Sequence, residues 1–119
     1  MRVLAVDDSA SMRELVTTTL SKAGMDVEPA KDGVDALEMA RAGQFDVVLA
    51  DLNMPRMDGI QLIRELRADA RYRLTPILML TTESSEEKRR EGKNAGATCW
   101  IVKPFEPDGL VSAVRRVMR

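Results

Sequence analysis

Histidine is absent from this 119-residue sequence, and cysteine, tryptophan and tyrosine each occur only once. Without histidine, the chain cannot form a His-ligated metal centre, a His-based catalytic triad or a phosphohistidine. A single cysteine, Cys99, rules out a disulfide within the chain, and its place beside an apolar run predicts a buried structural thiol. No apolar run approaches the roughly 18 residues that a membrane-spanning helix needs. We therefore expect a cytoplasmic protein without a membrane partner.

The sequence also lacks an excess of charge of either sign. Its 18 Lys and Arg residues are balanced by 19 Asp and Glu residues, so the net charge is −1. Nucleic-acid-binding domains usually carry a clear basic excess, and we therefore expect no nucleic-acid partner. The composition is 45% hydrophobic and 31% charged, as in globular proteins, and the length suits one domain. Residues 1–119 are predicted to form that single domain, with no room for an effector domain.

Five short apolar runs alternate with five stretches of helical periodicity. The runs span residues 3–6, 27–30, 47–50, 77–80 and 100–102. Four of them are nearly continuous in apolar residues, which is typical of parallel strands buried on both faces. The second contains Pro29, which cannot donate to a ladder and therefore indicates an edge strand. This alternation predicts an α/β fold, a doubly wound (βα)₅ unit with a five-stranded parallel sheet and helices on both faces.

Two of the helices carry informative local patterns. Ser11 and Glu14 predict a capping box at the start of the first helix, whose buried stripe we expect to include Leu15. The fourth helix, around residues 86–93, is almost entirely charged and contains Gly92. Few apolar contacts can hold such a helix, so we expect it to be weakly packed.

Polar residues suited to phosphoryl chemistry follow four of the predicted strands. Asp7 and Asp8 follow the first strand, Asp51 the third, Thr81 the fourth and Lys103 the fifth. The carboxyl ends of parallel strands meet at one edge of the sheet, so these side chains are expected to converge. Crowded carboxylates favour a hard cation such as Mg²⁺, and an aspartate beside it can form an acyl phosphate. Taken singly, each residue is equally well explained as a helix cap or a strand former, and only the combination is specific.

Five segments then resemble the response-regulator receiver family over essentially all 119 residues. They are AVDDSASMR, DGVDALEMA, DVVLADLNMPRMDG, PILMLTTE and NAGATCWIVKPF. The resemblance implies the flavodoxin-like, CheY-like strand order 2-1-3-4-5 and a cis peptide bond between Lys103 and Pro104. It also implies a phosphoprotein of a two-component regulatory system.

The resemblance assigns roles to the residues at the strand ends. Asp51 corresponds to the phosphoacceptor, forming an aspartyl phosphate. Asp7 and Asp8 correspond to the acidic pair that holds Mg²⁺ together with Asp51, and Asn53 would add its backbone carbonyl as a further metal ligand. Lys103 corresponds to the lysine that neutralises phosphoryl charge.

The remaining matched positions concern signalling. Thr81 corresponds to the switch hydroxyl, which also takes part in the chemistry at the phosphoryl group, and Trp100 to the aromatic switch position. The family usually has Tyr or Phe at that position, and a small residue where this chain has Thr82. Asn53 and Glu83 match a pair found in fast-dephosphorylating chemotaxis regulators.

The function implied is a signalling switch and not a turnover enzyme. A CheA-like histidine kinase would phosphorylate Asp51, and the phosphorylated monomer would bind a protein target such as the flagellar motor switch in chemotaxis. A phosphate sink, a phosphorelay component and a cell-cycle regulator remain open as alternatives.

Two other classes of protein share parts of the pattern. A Mg²⁺-dependent aspartyl phosphatase of the haloacid-dehalogenase type would need a second aspartate two positions after the nucleophile, where this chain has Asn53. A flavodoxin-like cofactor binder would need a phosphate-cradling loop after the first strand. Asp7 and Asp8 place negative charge there instead, which argues against that class.

Overall fold

Five strands and five α-helices alternate along the part of the chain that the structure describes. The computed structural model describes residues 1–118. The strands are β1 (Arg2–Val6), β2 (Asp26–Ala30), β3 (Val47–Ala50), β4 (Ile77–Thr81) and β5 (Cys99–Val102). The helices are α1 (Ala10–Lys22), α2 (Gly33–Ala42), α3 (Gly59–Arg67), α4 (Glu86–Ala95) and α5 (Pro107–Val117), and a short 3₁₀ helix (Ala70–Tyr72) precedes β4. In the part of the chain that the structure describes, no helix is both long and apolar enough to cross a membrane.

The strands form one parallel sheet in the order β2-β1-β3-β4-β5. This confirms the predicted fold class and the strand order that the family resemblance implied. Pro29 lies in β2 at the sheet edge, as its missing N–H required. Strand β1 pairs with β2 on one side and β3 on the other, so the chain reverses the direction of sheet growth there. Ligands of open α/β sheets bind beyond such a switch point.

The core lies in two layers because neighbouring residues of a strand point to opposite faces of the sheet. Leu4, Val48 and Ile77 face α2 and α3, while Val3, Val47 and Leu78 face α1 and α5. Both faces of the three central strands are therefore buried. This burial makes the sheet a rigid base for the loops that follow β1, β3 and β4.

The start of α1 differs from the prediction. Ser9, and not Ser11, is the N-cap, and its hydroxyl accepts the N–H of Met12. Leu15 was expected in the buried stripe but is 47% exposed. Val16 and Leu20, four residues apart, face the sheet, and each step along a helix turns the side chain by about 100°, which directs Leu15 away from the core.

Strand β5 is less buried than its apolar sequence predicted. Cys99 and Trp100 are half-buried, and Val102 is exposed. The expectation of a buried Cys99 thiol is therefore wrong. The reason is that β5 is the second edge strand of the sheet, so it has a neighbouring strand, β4, on one side only.

Candidate functional site

The register of the central strands places two of the predicted carboxylates side by side. Val6 of β1 is paired with Ala50 of β3, and the next residues are Asp7 and Asp51. The backbone N–H of Asp51 donates to the carbonyl of Val6 over 3.0 Å. Asp7 and Asp51 therefore lie side by side at the carboxyl edge of the sheet, at its switch point.

Asp8 completes an acidic cluster with these two residues. One carboxylate oxygen from each of Asp7, Asp8 and Asp51 lies within 4.8 Å of the other two. Asp7 and Asp51 are buried, whereas Asp8 is exposed. The convergence predicted from the strand ends is therefore observed for all three carboxylates.

Lys103, the residue that follows β5, reaches the same cluster. Its backbone N–H donates to the carbonyl of Thr81 over 2.8 Å, and its peptide bond to Pro104 is cis, as the resemblance implied. The ammonium lies 2.7 Å from Asp7 Oδ2 and 3.5 Å from Asp51 Oδ2. One ammonium against three carboxylates leaves the cluster net negative, and carboxylate oxygens are the ligands that Mg²⁺ prefers. The residues present therefore fit a divalent cation.

Helix α1 holds Asp7 in place through two contacts. The backbone N–H of Ser9 donates to Asp7 Oδ1 over 2.9 Å, and Arg13 Nη1 donates to the Asp7 carbonyl over 2.7 Å. Arg13 was not singled out in the sequence, although its position one turn into α1 already places it near the end of β1. It adds a positive charge on the backbone side of the cluster.

Thr81 and Trp100, the two predicted switch residues, both hydrogen-bond to the backbone of Glu83. Thr81 is fully buried, and its hydroxyl accepts the Glu83 N–H over 3.3 Å. The indole Nε1–H of Trp100 donates to the Glu83 carbonyl over 2.9 Å. A change in the Thr81 hydroxyl can therefore reach Trp100 through the backbone of a single residue, Glu83.

The Trp100 ring also lies directly against α4. A Cβ added at Gly92 would lie 2.6 Å from Trp100 Cζ3, closer than side-chain atoms approach one another. The glycine inside this charged helix therefore makes room for the indole. In the sequence, Gly92 indicated only a weakly packed helix and did not indicate a contact with Trp100.

Asn53 is exposed in the loop between Asp51 and α3. This position is compatible with the ligand role that the resemblance implies. Its backbone carbonyl as a metal ligand stays a prediction.

The family of the chain follows from comparison with known proteins. The response regulator receiver domain matches residues 3–115. Response regulator MprA of Mycobacterium leprae is 41% identical over 119 residues, which are all of this chain and 51% of that protein. Chemotaxis protein CheY-3 of Vibrio cholerae is 42% identical over 106 residues, 88% of this chain and 82% of that protein. The chain thus spans about half the length of the first relative and most of the second.

Solved structures agree with the sequence comparisons. The chemotaxis response regulator CheY4 of Vibrio cholerae superposes with a TM-score of 0.93 at 52% identity, covering 98% of this chain and 97% of CheY4. The receiver domain of the Francisella response regulator 1452 superposes with a TM-score of 0.90 at 32% identity, covering 98% and 95% of the two chains. The matching fold, the acidic cluster beside Lys103 and these relatives agree, and this chain belongs to the response regulator receiver domain family as a CheY-like receiver.

Proposed function

We propose that Asp51 accepts a phosphoryl group from a histidine kinase. The observation that carries this proposal is the place of the Asp51 carboxylate, which is buried at the end of a central strand beside Asp7, Asp8 and Lys103. A carboxylate oxygen of Asp51 attacks phosphorus and forms a P–O bond. The bond between phosphorus and the donor breaks, and the leaving group keeps its electron pair.

The neighbouring residues would stabilise the transferred group. Asp7, Asp8 and Asp51, with the Asn53 carbonyl, would hold Mg²⁺, which when bound neutralises charge on phosphoryl oxygens. The Lys103 ammonium, already 3.5 Å from Asp51, would neutralise further charge.

The test is phosphoryl labelling of the intact chain by a small donor. Acetyl phosphate with Mg²⁺ is expected to add one phosphoryl group, seen by intact-mass spectrometry. A chelator should prevent the labelling, because the acidic cluster then repels the anionic donor. Steady release of phosphate from many small phosphate esters, over many turnovers per protein molecule, would instead support a phosphatase.

We further propose a role in chemotaxis as a single-domain, monomeric and cytoplasmic regulator. The support is the likeness to CheY-3 and CheY4, both named as chemotaxis proteins, over most of their lengths. The donor would be a CheA-like kinase and the target a protein such as the flagellar motor switch. Labelling by such a kinase, followed by phosphate-dependent binding of motor switch protein, tests this role.

Trp100 is expected to report phosphorylation through its fluorescence. Thr81 would move its hydroxyl toward the phosphoryl group and release the Glu83 N–H. The backbone of Glu83, whose carbonyl accepts the indole N–H of Trp100, would then be held less firmly. Because Trp100 is the single tryptophan of the chain, its emission can be assigned without ambiguity. Beryllofluoride with Mg²⁺, a phosphoryl mimic, should change that emission or its accessibility to a quencher.

Two substitutions of Thr81 test whether the fluorescence change depends on the Thr81 hydroxyl. Thr81→Ala should blunt the fluorescence change, whereas Thr81→Ser keeps the hydroxyl and should retain it. If emission stays flat while the parent is fully labelled by acetyl phosphate, Trp100 is a fixed wedge against Gly92, and the switch role is wrong.

A further inference from the structure

The loop that follows the phosphoacceptor is closed at its base and held at its outer half. It spans residues 52–58 and includes Asn53. At the base, the N–H of Gly59 donates to the carbonyl of Leu52 over 2.8 Å. The outer half turns at Arg56, whose φ of 67° lies in the left-handed region. A non-glycine residue adopts that region at a free-energy cost, so its neighbours must stabilise it.

The Arg56 side chain provides such a contact across 24 positions of sequence. Its Nε and Nη2 both donate to Asp32 Oδ2, over 3.0 and 2.7 Å. The Asp32 side chain is only 6% exposed, and its other oxygen, Oδ1, accepts the N–H of Asp35 as the N-cap of α2. Asp32 therefore caps α2 and holds the loop at the same time.

The Asp32 carboxyl is expected to carry the negative charge that an ion pair with Arg56 needs. Burial alone raises the pKa of this carboxyl, but the hydrogen bonds from Asp35 N–H and from Arg56 outweigh burial, so the pKa lies below its usual value. Asp32 is thus ionised at neutral pH, and Arg56 faces a carboxylate.

The backbone beside Arg56 also rests on α2. A Cβ added at Gly33 would lie 2.6 Å from the carbonyl oxygen of Met57. The start of α2 and the outer half of the loop therefore meet with no space between them. The ion pair and this contact together connect the start of α2 to the loop that carries Asn53.

We infer that the Asp32–Arg56 ion pair is a positioning device for the metal site, holding the loop so that the Asn53 backbone faces the acidic cluster. Neither residue touches the reacting atoms, and their action runs through the loop. The inference rests on the proposed Mg²⁺-dependent phosphorylation of Asp51. It adds Asp32, the N-cap of α2, and Arg56 of the loop to a site whose charged side chains follow β1, β3 and β5.

The test compares Mg²⁺ affinity, by calorimetric titration of the metal-free protein, in the parent and two single variants. Asp32→Asn keeps an oxygen that can cap α2 but loses the charge. Arg56→Asn loses the guanidinium but tolerates the left-handed backbone. Mutating a residue that orients a metal ligand typically lowers metal affinity by about 10–100-fold. Because Asp32 and Arg56 act through a loop, we expect the Kd for Mg²⁺ to rise about tenfold in each variant.

The double variant and a control decide between positioning and general stability. Asp32→Asn combined with Arg56→Asn should be no weaker than either single variant, because both remove the same contact. Glu65→Gln removes an exposed contact between α3 and Arg41 of α2, 3.9 Å long, and should leave the Kd unchanged.

Each other outcome has a definite meaning. If the single variants melt at lower temperature but bind Mg²⁺ like the parent, the ion pair is only structural and the inference is wrong. Additive losses in the double variant also overturn it, because the two residues then act separately. If the parent itself neither binds Mg²⁺ nor is labelled by acetyl phosphate, the proposed function fails first, which is a distinct result.

Discussion

Asp51→Asn is expected to abolish phosphoryl labelling while leaving the fold intact. An amide oxygen is a much weaker nucleophile than a carboxylate, so the P–O bond does not form. Asn has nearly the same shape, and the backbone hydrogen bond from residue 51 to the Val6 carbonyl does not involve the side chain. The variant also removes one negative charge from a cluster that is net negative, so no loss of stability is expected. Intact-mass spectrometry after acetyl phosphate and Mg²⁺, with a thermal melt, measures both effects.

A second aspartate close by in sequence supplies the control. Asp58 is exposed, follows Asp51 by one loop, and caps α3 by accepting the N–H of Gln61 over 2.8 Å. Asn is also a good N-cap, so Asp58→Asn should keep α3 and be labelled like the parent. An Asp51→Asn variant labelled as fast as the parent would move the acceptor role to another carboxylate, with Asp7 and Asp8 the first to test.

Gly59→Ala is expected to destabilise the protein by about 2 kcal/mol, because backbone atoms surround the new methyl group. Its Cβ would lie 2.3 Å from the Asp51 carbonyl oxygen, 2.8 Å from Met79 Cε and 3.0 Å from Leu52 Cα. Two of these atoms belong to the backbone and cannot rotate away. Alanine favours a helix over glycine by about 1 kcal/mol, which offsets only part of the clash. A fall in Tm of roughly 8 °C is expected, and labelling should slow because Asp51 itself is displaced.

The same substitution in α5 should have the opposite sign. Gly109 lies in the first turn of that helix, and its added Cβ would meet only Glu106 Cβ, at 3.6 Å, which is an ordinary contact. Gly109→Ala should therefore raise stability by up to about 1 kcal/mol through helix propensity alone. Should Gly59→Ala melt at or above the parent temperature, α3 has moved away from Asp51 at little cost, and the close packing behind the phosphoacceptor does not constrain it.

The positions of the charged residues that follow the strands could be predicted, because the strands themselves are recognised from local patterns. Once β1, β3 and β5 are recognised as parallel strands, Asp7, Asp51 and Lys103 must lie at one edge of the sheet. The observed cluster confirms this convergence. The strand order came from the family resemblance, since apolar periodicity does not say which strands are neighbours.

The errors arose where a local pattern had two solutions. Ser9 and Ser11 are both acceptable N-caps, and the structure uses Ser9. Leu15 has the right spacing for a buried stripe, but the start of α1 and its contact with the sheet turn it toward solvent. Cys99 follows the pattern of a buried strand, and only the edge position of β5 leaves it half-buried.

The sequence by itself determined the alternation of strands and helices, the edge strand with Pro29 and the residue types that follow the carboxyl ends of the strands. These features depend on side-chain periodicity and on residue types a few positions apart, which are local properties of the sequence. Only the tertiary structure decided that Arg56 pairs with Asp32, that Gly59 packs against the Asp51 carbonyl and that Gly92 makes room for Trp100. Each of these contacts joins segments that the crossovers of the fold bring together, and no local pattern encodes the distance between them.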